Sequence, residues 1–123
     1  LELQAELDRA TAALEKAKRD LEEARAEWAR LMADKEAQLE ESKQRLIDLA
    51  NSTAGDQAAL DAERQRLQDD IRRMQAEMAQ LMREWEAKEA DLLRQRDEAL
   101  KKQVEVKKVL TSEIGVGVRM LSL

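Results

Sequence analysis

Large apolar residues return every seven positions from Leu7 onward: Leu7, Leu14, Leu21 and Trp28. Three residues after each stand Ala10, Ala17, Ala24 and Leu31. A second series starts further on. Leu39, Leu46, Thr53, Leu60, Leu67, Met74 and Leu81 take its d positions, with Ala50, Ile71, Met78, Trp85 and Leu92 among its a positions. A period of seven puts one narrow apolar seam along a helix, and that seam has to be covered by another helix. The expected class is therefore all-α, and the expected architecture is a long parallel two-stranded coiled coil. Composition closes the other routes. There is no Phe, Tyr, His, Cys or Pro, and there are two Trp against 40% charged residues. A compact core draws much of its buried area from aromatic side chains, which are nearly missing here.

The two series are out of phase. From Trp28 to the next a position, Glu36, is eight residues rather than seven, so a one-residue phase shift is expected near residues 31–36. Leu31 and Met32 both offer themselves to the seam there, and such interruptions change the local winding of a supercoil. This divides the chain into a segment 1–34 with an alanine-rich seam, a segment 35–110, and an apolar tail 111–123 with Gly115 and Gly117.

A weak point is expected at 51–57, where Asn51, Ser52, Thr53, Gly55 and Asp56 are all cap and turn formers. One reading is a hairpin, with Gly55 closing the first helix and Asp56 capping the second. The other is a helix running through. Leu46 and Leu60 lie two whole heptads apart with Thr53 between them, and this retained phase favours the continuous helix.

Charge bears on orientation. From Asp56 onward the g positions of the second series are all acidic: Asp56, Glu63, Asp70, Glu77, Glu84, Asp91, Glu98 and Glu105. In an antiparallel pair of identical helices g faces g, which sets acid against acid. In a parallel pair g faces e, where Gln68, Gln75, Met82 and Gln103 are neutral. The parallel homodimer is the expectation.

Chemistry finds little foothold. Without His or Cys, and with carboxylates spread along helix faces, no nucleophile–base pair or metal-ligand spacing can be read, so neither an enzyme nor a cofactor is expected. A net charge of -5 argues against a nucleic-acid partner, which needs clustered cations. No run approaches the ~20 apolar residues of a membrane span. Lys35, Glu36, Lys43, Gln57 and Arg64 interrupt the seam in the first half, and Lys88, Gln95 and Lys102 in the second. Such residues fix register at some cost in stability. The chain begins at Leu1 and reads as a segment of a longer protein.

The final stretch, "VEVKKVLTSEIGVGVRMLSL", resembles the end of the intermediate-filament rod through Leu110, Glu113, Ile114, Arg119 and Leu121. In that family the segment mediates head-to-tail overlap of dimers. The aromatic residue of that pattern is absent here, and the two glycines replace helix formers. Read from its residues, the tail is expected to be non-helical or frayed beyond Ser112. Ile114, Val116, Val118, Met120 and Leu121 are then expected to form an apolar surface that either assembles with another copy or hands over to a following domain.

The expected function is a structural rod segment that homodimerises and feeds higher-order assembly of a cytoskeletal or scaffold protein. The alternatives are an adaptor coiled coil docking a regulatory protein and an antiparallel helical hairpin. The expected partners are the chain itself and other cytoskeletal or scaffold proteins. The expected setting is intracellular, in cytoplasm or cytoskeleton, with the nucleus as an alternative.

Overall fold

The computed structural model describes residues 2–52 and 55–122, with side chains through Glu113. The chain is all-α: helix α1 spans Glu2–Asn51 and helix α2 spans Gln57–Ser122. Among the described residues there is no strand. Both helices are rich in Ala, Leu, Glu, Lys, Arg and Gln, which are the strongest helix formers, and no proline interrupts them. The contacts divide the molecule into two compact units. One comprises Leu1–Arg25 with Lys88–Leu123, and the other is Ala26–Ala87.

The helix does not run through the weak point. α1 ends at Asn51 and α2 starts at Gln57, which corrects the expectation drawn from the retained phase. Thr53, the seam residue proposed there, lies outside the described residues. Local chemistry outweighs the phase. The Ser52 amide donates back to the Leu49 carbonyl at 3.2 Å, closing the last turn of α1. Gly55 takes φ 98°, a backbone conformation that a Cβ disfavours. Asp56 then caps α2: its Oδ1 accepts the Ala58 amide at 3.0 Å, and its carbonyl accepts the Leu60 amide at 3.0 Å. Arg64 completes the turn. Its Nε and Nη2 donate to the Leu49 carbonyl at 3.2 and 2.8 Å, and its Nη1 pairs with Asp61 at 2.9 Å. α1 carries no basic residue in its own last turn, so Arg64 supplies the cation that a helix C-terminus favours.

A stability ranking follows. Arg64→Met should cost about 1–2 kcal/mol by removing two charge-assisted hydrogen bonds from the Leu49 carbonyl, which keeps the Ser52 amide, and by removing that cation. Asp56→Ala should cost about 1 kcal/mol through the lost cap, and Gly55→Ala about 1–2 kcal/mol through strain alone. A Cβ on Gly55 meets nothing within 4 Å, so no steric clash adds to its cost. Chemical denaturation of the three variants checks the order.

At the other end the backbone differs from the expected frayed tail. α2 continues past Ser112, through Gly115 and Gly117, to Ser122. Glycine costs about 1 kcal/mol in a helix interior, but unlike proline it keeps its amide donor and leaves the hydrogen-bond ladder whole. The side chains of Ile114, Val116, Val118, Met120 and Leu121 lie outside the described ones.

Candidate functional site

The best-covered surface in the molecule is the seam of the unit formed by Leu1–Arg25 and Lys88–Leu123. Ala10, Leu14, Ala17, Leu21 and Ala24 are buried there, together with Val106 of α2. Leu7 is half-buried at the same period. Alternating leucine with alanine explains the depth of burial. The small residues leave room for the facing helix to come close, and the leucines are covered as it does so. Two polar links cross the seam. The Gln103 side chain donates to Thr11 Oγ1 at 3.0 Å, and Arg25 Nε meets the Glu89 carboxylate at 3.1 Å. Fourteen residues separate Thr11 from Arg25, and fourteen separate Gln103 from Glu89 in the opposite sense.

Within Ala26–Ala87 the centre is an aromatic pair. The rings of Trp28 and Trp85 stack with centroids 5.4 Å apart and planes 6° from parallel. From Trp28 to Leu49 is twenty-one residues, and from Trp85 back to Arg64 is again twenty-one. Leu39, Leu46, Leu60, Leu67, Met74, Met78 and Leu81 are half-buried here, and Ile71 is buried. Cover is thinner than in the other unit, because Lys35, Ser42, Lys43 and Arg64 take half-buried positions on the same faces.

No protein-family model, curated protein or solved structure matches this chain. The residues themselves therefore carry the functional argument.

The phase shift takes a definite form along α1. Covered positions run Leu21, Ala24, Trp28, Met32, Lys35, Leu39, so one step of four residues replaces a step of three. Met32 sits in the seam within the chain and Leu31 lies beside it at 39% exposure. Glu36 and Ala50 are exposed, and Lys35, Ser42 and Leu49 serve in that row. α2 makes the same change at Trp85, where the covered positions run Met78, Leu81, Trp85, Glu89, Leu92. Leu92, Ala99 and Val106 keep their row, while Glu89, Arg96, Gln103 and Leu110 replace the expected Lys88, Gln95 and Lys102, which are exposed. The cause is geometric. A straight helix drifts about 20° per heptad from a strict 3.5-residue period, so the covered stripe migrates to a neighbouring row after several heptads. An eleven-residue step absorbs that drift.

Among the described residues, no group of three or more potential ligands is placed to hold a metal ion. None of their helices is long and apolar enough to cross a membrane. The remaining polar chemistry is local to each helix. Arg73 pairs with Asp70, Arg94 with Asp91 and Arg72 with Asp69, each three residues apart. Exposed pairs of this kind contribute a few tenths of a kcal/mol.

Proposed function

We propose that this chain is a structural coiled-coil segment whose α1 and α2 pair antiparallel with each other, leaving its outer faces for assembly within a larger scaffold or cytoskeletal protein. One observation carries the reading. Ala10, Leu14, Ala17, Leu21 and Ala24 are buried within a single chain, so their seam is covered without a second copy. The opposed counting of Thr11–Gln103 and Arg25–Glu89 supports the antiparallel sense. The row of acidic g residues weighs against α2 meeting an antiparallel copy of itself through this seam. It does not weigh against α2 meeting α1, whose Arg25 receives Glu89.

The parallel homodimeric rod is the second reading, and that same acidic row favours it, since parallel strands set acid mostly against neutral residues. Head-to-tail contact through Ile114, Val116, Val118, Met120 and Leu121 goes with it, as the resemblance to the intermediate-filament rod end implies. Either way the chain works as structure and not as an enzyme.

Cysteines separate the two. Thr11→Cys with Gln103→Cys should link within one chain under oxidation or with a short bis-maleimide, giving a band of single-chain mass. Ala24→Cys alone should give little chain-to-chain disulfide. The reverse pattern, efficient Ala24 self-linkage and no intrachain product, rejects the antiparallel reading in favour of a parallel in-register dimer.

A further inference from the structure

α2 carries a second row beside its covered seam, with Leu93, Leu100 and Val104 as its apolar members. Leu93, Asp97, Leu100, Val104, Lys107 and Thr111 follow one another at steps of four and three, the spacing of one coiled-coil face. Leu100 is 44% and Val104 40% exposed, although both belong to a helix whose other row is covered. Open hollows lie on this face, one against Leu93 and Asp97 and another against Val104, Lys107 and Thr111. Exposed single leucines need no explanation, but Leu100 and Val104 one seam step apart, with Leu93 one heptad before Leu100, do.

We propose that this row is a two-fold docking surface for a second copy of the chain, with the two α2 helices antiparallel about Lys102. The assignment rests on self-complementarity. In an isologous contact residue i meets j while j meets i. Turning the row about Lys102 sets Leu100 against Val104, Leu93 against Thr111 and Asp97 against Lys107, each occurring twice. These are the a-to-d layers of an antiparallel pair. The row's single acid meets its single base, and its two central apolar residues meet each other.

The Asp97 side chain is 64% exposed and, among the described residues, its carboxylate pairs with the adjacent Arg96 at 3.1 Å, which leaves it open to a second cation. Beside the row Arg94, Lys101 and Lys108 are basic in both copies. Arg94 is already paired with Asp91, and the rest of this repulsion keeps the contact weak and dependent on concentration. The inference rests on the antiparallel pairing of α1 with α2, because that pairing fixes which face of α2 is covered.

Charge exchange tests it. In sedimentation equilibrium the wild-type chain should move from the mass of one chain to that of two as concentration rises. D97K sets Lys against Lys, and K107D sets Asp against Asp, so each should weaken association about tenfold. The double variant D97K/K107D should restore it, and so should mixing the two single variants, because both pairs are then opposite in sign. Val104→Asp should abolish it, with helicity by circular dichroism unchanged in every variant. Three outcomes overturn the proposal: wild type at single-chain mass throughout, a dimer indifferent to V104D, or no recovery in the mixture. Binding of anionic vesicles or of an acidic helical peptide through Val104, without self-association, also overturns it by giving the face another occupant. The intrachain Thr11–Gln103 cross-link reports separately on the pairing of α1 with α2, so a failure of that reading stays distinct from a failure of this one.

Discussion

Leu14→Asp should melt the helix pair of residues 1–25 and 88–123 at temperatures where the unsubstituted chain is folded. Leu14 is 3% exposed, with Ala10 and Ala17 buried on either side of it along the seam. Alanine has no polar side-chain atom to offer a carboxylate, and no buried side-chain polar atom without a partner exists among the described residues to receive one. The substitution removes about 2 kcal/mol of leucine burial and adds the cost of desolvating an unpartnered polar group. A total of about 3–5 kcal/mol is a large fraction of what holds a domain of this size together. Leu14→Ala should cost about 2–4 kcal/mol. Ile47→Asp is the control, since Ile47 is 53% exposed and surface changes stay within about 0.5 kcal/mol. Thermal melts by circular dichroism give all three. In the V104D background, where association through α2 is removed, the same melts carry a second readout: pairing within one chain gives a midpoint independent of protein concentration, while a seam shared between two chains gives one that rises with it. Equal melting of L14D and I47D would mean that this seam is not covered.

Much of the fold was legible because periodicity is a property of the residues alone. The helical class and the alternation of Leu with Ala from Leu7 to Ala24 follow from spacing, and within that series Ala10, Leu14, Ala17, Leu21 and Ala24 are buried. Two things were less legible, for different reasons. The break between α1 and α2 sets phase against cap chemistry, and cap chemistry decides it. Fourteen residues between Leu46 and Leu60 fit a straight heptad count, but they fit equally a turn that happens to preserve the count. Meanwhile Gly55, Asp56 and Arg64 were all in place to stop one helix and start the next. The row change in α2 was hidden because Leu92 keeps its place while its companions move from Lys88, Gln95 and Lys102 to Glu89, Arg96 and Gln103. Polar residues stand at both alternatives, so hydrophobicity gives no vote. In α1 the adjacent pair Leu31–Met32 was the available signal. The glycines of the tail misled in the opposite direction, since a penalty of about 1 kcal/mol each lowers helix stability without forbidding the conformation.

The tryptophans give the sharpest test of which helix faces which. The chain has two Trp and neither Phe nor Tyr, so every aromatic signal in its near-ultraviolet circular dichroism comes from Trp28 and Trp85. Their rings stack 5.4 Å apart and 6° from parallel, close enough for the two indoles to couple. Pairs of this kind are worth about 0.5–1.5 kcal/mol beyond the area they bury. With both side chains half-buried, Trp28→Ala and Trp85→Ala should each cost about 2 kcal/mol, below the range for fully buried aromatics. The double variant should fall short of the sum by about 1 kcal/mol, because the second substitution removes a ring whose partner has already gone. The spectrum separates the arrangements more cleanly than the energies do. If Trp28 stacks on Trp85 of its own chain, either single substitution removes the coupled signal completely, since the remaining indole has no neighbour. In a parallel in-register dimer each tryptophan would face its own copy instead. Trp85→Ala would then leave the Trp28 pair coupled, and about half the signal would survive. Complete loss in both single variants, at a concentration where sedimentation shows one chain, is the expected result. Survival of half in either one would move both tryptophans from a contact between α1 and α2 to contacts between copies.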